Sequence, residues 1–217
     1  MKPLGALGPS KSAMEAPPPA VPGGPTGGGA PADPRAEERE LVRRAQGGDE
    51  RAFRRLVEVH GDRAYALALR IVRSPSDAEE VAQDALVRAW RSLPRFRGES
   101  AFSSWLYRIV VRRAYDRAAL LKGRRSREAG IEDPEALPAA VAGPDAGARE
   151  LSVRLERLVA ELPEVPRTVV TLYYYQDRSV AEVASILRMP ENTVKTHLSR
   201  ARERLRTGWT DTGGGES

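Results

Sequence analysis

The sequence predicts an all-α chain of two small helical domains, residues 36–122 and 149–207, joined by a flexible linker. Apolar residues recur at three- and four-residue spacing through most of the chain, the mark of helices with one buried face. No stretch alternates apolar and polar residues as a half-buried strand would, and no internal repeat is evident. Between the periodic regions, Gly123 to Ala148 carries Pro134, Pro138 and Pro144 among Ala, Gly and acidic residues without a sustained period. Such a stretch reads as a linker.

Residues Met1 to Pro34 hold nine of the 17 prolines and seven of the 19 glycines, with almost no large apolar side chain to bury, so residues 1–35 read as a disordered tail. Met14 offers an alternative translation start within it. From Ala36 to Lys122 the pattern is helical almost throughout, punctuated at Gly47-Gly48, His60-Gly61, Ser74-Pro75 and Pro94 to Gly98, which fits four or five helices.

Ser76-Asp-Ala-Glu79 has the spacing of a capping box, so a helix is expected from there to Leu93. Val81, Ala82, Ala85, Leu86, Ala89, Trp90 and Leu93 share its packing side. The other side carries Glu80, Gln83, Asp84, Val87, Arg88 and Arg91, and the four-residue steps of Glu80, Asp84 and Arg88 read, on charge alone, as a solvated face. After Pro94, aromatic and basic residues alternate around Gly98, a mixture suited to stacking unpaired bases while Arg holds the backbone. Phe102, Trp105, Leu106 and Ile109 fall on one helical face and read as core. Seven Lys or Arg against one Asp between Ala101 and Arg125 suggest that the later part of this helix projects as a basic arm. Phe96, Arg97, Arg108 and Arg112 are its candidate DNA contacts.

Helices resume at Arg149. Leu151, Leu155, Leu158 and Leu162 mark one and Val165 to Tyr175 another, followed by Ser179 to Leu187 and a helix opened by Pro190. Arg188 to Pro190 is short enough to make the last two a helix-turn-helix. In the last helix Val194, Leu198, Ala201 and Leu205 form a packing face. Asn192, Thr196, Ser199 and Arg200, flanked by Thr193 and Lys195, lie opposite it, short polar and basic groups suited to base edges and phosphates. Five Lys or Arg against two Glu between Glu191 and Arg206 reinforce the attraction to a phosphate backbone. Residues 208–217 read as a frayed tail.

A formal charge of +5 over 217 residues favours an anionic partner, and leaves nucleic acid and membrane surface both open. No apolar run is long enough to span a bilayer and no apolar segment follows a basic start, so neither insertion nor secretion is expected and the location read is cytoplasmic. The chain has no cysteine, which removes disulfides, thiolate zinc sites and thiol catalysis, and its two histidines, His60 and His197, stand far apart. Without a nucleophile and base, a glycine-rich phosphate loop or a ligand cluster, the expectation is a protein that is not an enzyme and needs no cofactor.

Taken together these segments resemble the extracytoplasmic-function group of sigma factors, the compact two-domain members of the sigma-seventy family. The resemblance covers Glu40 to Arg125 and Arg149 to Arg206, with three motifs in order. Ala78 to Trp90 resembles the family's polymerase-binding helix, Phe96 to Ile109 its segment for opening the minus-ten element, and Asn192 to Arg202 its minus-thirty-five reading helix. It implies that the chain binds core RNA polymerase and directs it to particular promoter DNA. Glu80, Gln83, Asp84, Val87 and Arg88 would then meet the coiled coil of the largest polymerase subunit, reversing the reading from charge alone. Lys195, Thr196, Ser199 and Arg200 would make major-groove contacts. The linker would thread towards the RNA exit path, and an anti-sigma factor is an expected partner of a chain that is monomeric when free. Three positions depart from the pattern: Arg112 where many members carry Asn, and Arg188 and Asn192 where glycines are frequent. The competing reading is a stand-alone helix-turn-helix regulator, which would need a dimerisation face and a symmetric operator.

Overall fold

The computed structural model describes residues 34–127 and 146–213, and every regular element among them is a helix. The expected amino-terminal tail lies outside the described residues except at Pro34 and Arg35, which instead begin helix α1 (Pro34–Gln46). The chain continues through α2 (Glu50–Val72), α3 (Pro75–Ser92), a 3-10 turn (Leu93–Arg95) and α4 (Phe102–Arg127). Most of the expected linker also lies outside the described residues, but its ends are helical, in α4 as far as Arg127 and in α5 (Ala146–Glu161) from its start. Then follow α6 (Glu164–Val170), a π-helical turn (Thr171–Tyr175), α7 (Val180–Leu187) and α8 (Glu191–Gly213), so residues 208–213 extend a helix rather than fray.

Local chemistry sets these boundaries. Asp49 opens α2 by accepting from the Arg51 and Ala52 amides at 2.9 and 3.1 Å. The α3 cap is Ser74, not Ser76: Ser74 is extended, Pro75 occupies the first turn, and the Asp77 amide donates to the Ser74 hydroxyl. Proline's fixed φ and missing N–H suit the first helical position, so the helix begins two residues earlier than a cap at Ser76 allows. The reciprocal box forms at α7, where the Ser179 hydroxyl accepts from the Glu182 amide and the Ser179 amide donates to the Glu182 carboxylate. Arg188 closes α7 in the left-handed region with φ 53° and ψ 48°, a conformation that usually favours glycine. Asn192, the other departure, lies inside α8.

In the amino-terminal unit α2 runs through the middle, packed by α1, α3 and α4 around Leu56, Leu67, Ile71, Leu106, Tyr107 and Val110. Each fully buried aliphatic side chain there contributes about 1.5–3 kcal/mol of transfer free energy. In the carboxy-terminal unit α8 packs on α5, α6 and α7, with Val159, Leu162, Val170, Ala201 and Leu205 in one cluster. Leu151, expected on the same stripe, is instead exposed.

The two units dock. Val169, Leu172, Val183 and Val194 belong to the same buried cluster as the amino-terminal core, where α7 meets α4 and α6 meets α2. Polar contacts line the seam. Tyr107 donates its hydroxyl proton to Gln176 Oε1 at 2.9 Å, and Gln176 Nε2 donates to the Arg63 carbonyl at 3.3 Å. Arg178 donates to the Ser103 hydroxyl at 3.0 Å, Ser104 donates to Glu182 at 3.2 Å, and Arg70 pairs with Glu156 while lying 3.6 Å over the Tyr175 ring. Burial pushes the Tyr175 hydroxyl up to about 12. The extra residue in the Thr171–Tyr175 turn, closed by the Gln176 amide on the Thr171 carbonyl at 3.1 Å, is what carries the chain from Tyr175 under Arg70 to Gln176 at Tyr107.

Candidate nucleic-acid interface

Helix α8 divides as the sequence indicates. Val194, Leu198, Ala201 and Leu205 are buried, whereas Asn192, Lys195, Thr196, Ser199 and Arg200 are exposed and Thr193 is half-buried. The Thr196 hydroxyl is committed to the Asn192 carbonyl at 2.9 Å. The side chains of Lys195, Ser199 and Arg200 are exposed, so their donors face water. The α7 capping box and the Arg188 turn fix the angle at which this face is offered.

The α3 face is not an independent acidic strip. Glu80, Gln83, Val87 and Arg88 are exposed and Asp84 is half-buried. Asp84 accepts from Arg88 at 3.0 Å on its own helix and from Arg113 of α4 at 2.6 Å; Arg117 of α4 reaches both Asp77, at 2.6 Å, and Glu80, at 3.0 Å. Burial opposes ionisation of Asp84, but these two arginines hold its carboxyl below the usual aspartate range. The expected basic projection is therefore corrected over this part of α4: Arg113 and Arg117 lie against α3 because its carboxylates neutralise them. Beside this face, Phe53, Val57, Leu86, Val87 and Trp90 line an apolar groove of about 550 Å³ between α2 and α3. Val87 is 46% exposed, and Trp90, read as a core residue, packs in a tilted arrangement against Phe53 with ring centres 4.9 Å apart. Sequence reasoning missed Phe53 here, since no local pattern pairs α2 with α3.

The loop after α3 forms one wall of a cleft of about 730 Å³ that also involves α1, α2 and Arg178. Phe96 is half-buried, with its ring 4.9 Å from Trp105 and 6.4 Å from Phe102, so much of its surface is spent on packing. Arg97 is exposed near Glu99 at 3.7 Å. Gly98, at φ 72°, makes the turn. Gln46 of α1 fastens the loop by donating to the Phe96 carbonyl at 2.6 Å and the Leu93 carbonyl at 3.2 Å, a role without a sequence signal because the partners are backbone atoms. Arg108 and Arg112 separate: Arg112 is exposed, whereas Arg108 donates to the Ser185 hydroxyl of α7 at 2.9 Å across the seam.

Family models for sigma-70 region 2 and sigma-70 region 4 match residues 56–125 and 152–205. The chain is 33% identical over 178 residues to the RNA polymerase sigma-H factor of Pseudomonas aeruginosa, covering 78% of this chain and 92% of that relative. It is 32% identical to the ECF RNA polymerase sigma factor SigW of Bacillus subtilis over 77% of this chain and 94% of the relative. The ECF sigma-E factor of Haemophilus influenzae is 37% identical over 77% and 93%. Among solved structures, CnrH in complex with the cytosolic domain of CnrY superposes with a TM-score of 0.60 at 25% identity, covering 79% of this chain and 96% of that one. The sigma factor RpoE of Bartonella quintana, in complex with the anti-sigma factor NepR, superposes at 0.61 with 22% identity, covering 73% and 96%, a likeness of fold. The chain belongs to the extracytoplasmic-function group of the sigma-70 family of RNA polymerase sigma factors.

Proposed function

We propose that this sigma factor binds core RNA polymerase through the α3 face and reads promoter DNA with α8 and the loop before α4. The observation that carries the reading is α8 itself, whose apolar stripe is buried while Lys195, Thr196, Ser199 and Arg200 face solvent in a chain with both sigma regions in order. Asn192 and Thr193 begin that surface, and the minus-thirty-five element is its target. Glu80, Gln83, Asp84, Val87 and Arg88 form the polymerase contact, with the groove beside Val87 supplying apolar area that a solvated ion-pair strip would lack. Arg97 and Arg112 are free of the seam and serve the minus-ten element. Phe96 and Arg108 join them, Arg108 once its contact with Ser185 is released. An anti-sigma factor is the partner that would hold the chain inactive.

This assignment requires the two units to separate. Elements centred ten and thirty-five base pairs from a start lie about 85 Å apart on a duplex rising about 3.4 Å per pair. The 162 described residues, packed as one body, have a radius of gyration of only about 15 Å. The 18 residues between α4 and α5 give a reach of about 60 Å when extended, enough with the domains' own dimensions to span the gap.

Mapping transcripts made by the purified chain with bacterial core polymerase on fragmented genomic DNA tests the reading. Starts clustered behind a shared two-part motif are expected; starts no different from core polymerase alone refute it. Asp84→Arg tests the α3 face. It removes two ion pairs that are exposed enough to contribute about 0–1 kcal/mol each, so the variant should stay folded and lose polymerase binding. Unchanged affinity for core polymerase would remove Asp84 from the interface.

A further inference from the structure

The seam contains charges that neither the promoter nor the polymerase surface uses. Arg167 of α6 is 8% exposed, yet no carboxylate pairs with it among the described residues. Its guanidinium donates only to backbone carbonyls: Nη1 to Ala160 at 3.2 Å and Leu162 at 3.0 Å, and Nη2 to Ile71, across the seam, at 3.2 Å. Nε is buried without a hydrogen-bond partner, and Nη2 has a second hydrogen to give. The edge left over is the Nε and Nη2 edge, the side-on fork with which arginine takes two oxygens of one anion.

A second, half-buried guanidinium shares one of these features. Arg73, at the corner between α2 and α3, is held in the left-handed region at φ 62°, and its Nε is also buried without a partner. Arg73 and Arg167 both line a cavity of about 220 Å³ between the units, whose other charged walls are Lys122 and Glu164, paired with each other. Three cations against one carboxylate leave the cavity with two uncompensated positive charges. Burial, and then the nearby charge of Arg73, hold the Arg167 pKa below the usual arginine value. Isolated buried charge costs several kcal/mol unless it is paired. The volume is below the range of about 300–1,000 Å³ usual for organic ligands, and suits a small oxyanion.

We infer that this cavity is a binding site for a small oxyanion of the phosphate class, gripped by Arg73 and Arg167 with Lys122 as a third cation. The bound anion would join the α2–α3 corner, α4 and α6, and so add to the docking of the two units. The site depends on geometry inside the folded chain alone, so its test does not use transcription and stands or falls apart from the promoter reading.

The full-length chain, exchanged into phosphate-free buffer, is titrated with inorganic phosphate and separately with pyrophosphate at constant ionic strength set by chloride, with binding read by calorimetry and phosphorus NMR line width. Saturable binding of one equivalent is expected. Arg73→Gln should weaken it at least about tenfold, the loss of one charged bidentate partner, and Lys122→Gln should weaken it less. Arg204→Gln on exposed α8 lowers the net charge by the same unit and should leave binding unchanged. Far-ultraviolet circular dichroism confirms that each variant is folded. Tighter binding of pyrophosphate would identify a nucleotide-type diphosphate as the source, and equal or tighter binding of phosphate the free ion. Two results overturn the site: no saturable binding of either anion, or equal weakening by Arg73→Gln and Arg204→Gln, which would reduce the effect to screening of a basic chain.

Discussion

Replacing Tyr107 by Phe isolates one contribution to docking. The tyrosine is fully buried, and its hydroxyl donates to Gln176 Oε1 at 2.9 Å. Phe keeps the ring and the packing but strands a buried amide oxygen, because Gln176 is itself 4% exposed. An unsatisfied buried acceptor costs about 1–3 kcal/mol. In the undocked state both groups meet water, so the whole penalty falls on docking and should raise the open-to-docked ratio about 5- to 150-fold. The parent chain has no cysteine, so Glu58→Cys on α2 and Arg204→Cys on α8 give a unique pair of dye positions without background labelling. Single-molecule energy transfer between them then counts open and docked molecules. An open-to-docked ratio within about twofold of the parent's, a difference of about 0.4 kcal/mol, would refute the claim that this hydrogen bond holds the seam.

Arg188→Gly should stabilise the chain by about 0.5–1 kcal/mol, since glycine relieves the left-handed C-cap at some cost in unfolded-state entropy; a lower urea midpoint would count against strain at Arg188. Arg200→Ala should cost about 1–3 kcal/mol at one base position of the upstream element; a loss spread evenly over all promoters would make Arg200 a phosphate contact. Glu182 gives an acid limb to stability: burial opposes its ionisation, but the Ser179 amide and hydroxyl, Arg178 and Ser104 hold its carboxyl below the ordinary 4.5. Because the folded value is the lower one, its contribution is complete above pH 4.5 and fades as the pH falls through the folded value. Glu182→Gln should therefore narrow the difference in urea midpoint between neutral pH and about pH 4, and an unchanged difference would exclude Glu182 as a source of it.

The faces of α8 and α3 were legible because helical periodicity is a local property: Val194, Leu198, Ala201 and Leu205 announce one side of α8 whatever packs against them. Helix ends were less so. Ser76 and Glu79 have the spacing of a capping box, but Ser74 followed by Pro75 outcompetes it two residues earlier. Pairings across long stretches of chain leave no periodic trace. Nothing around Arg113 or Arg117 points to Asp84 or Asp77, and nothing near Tyr107 points to Gln176, 69 residues away. The seam, the α2–α3 groove and the oxyanion cavity all consist of such pairings.

The shared core has a consequence for synthesis on the ribosome. The amino-terminal unit is complete once α4 has emerged, but the side chains that close the buried cluster over α2 and α4 arrive only with α6, α7 and α8. At about 5–20 residues per second, the roughly 70 residues from Arg127 to Leu198 take about 4–14 s to translate. For that interval the nascent chain carries an uncovered apolar surface beside Tyr107 and Ile71. Slower translation through residues 128–145 would lengthen the period in which the half-made protein can be captured by a chaperone or by another nascent copy.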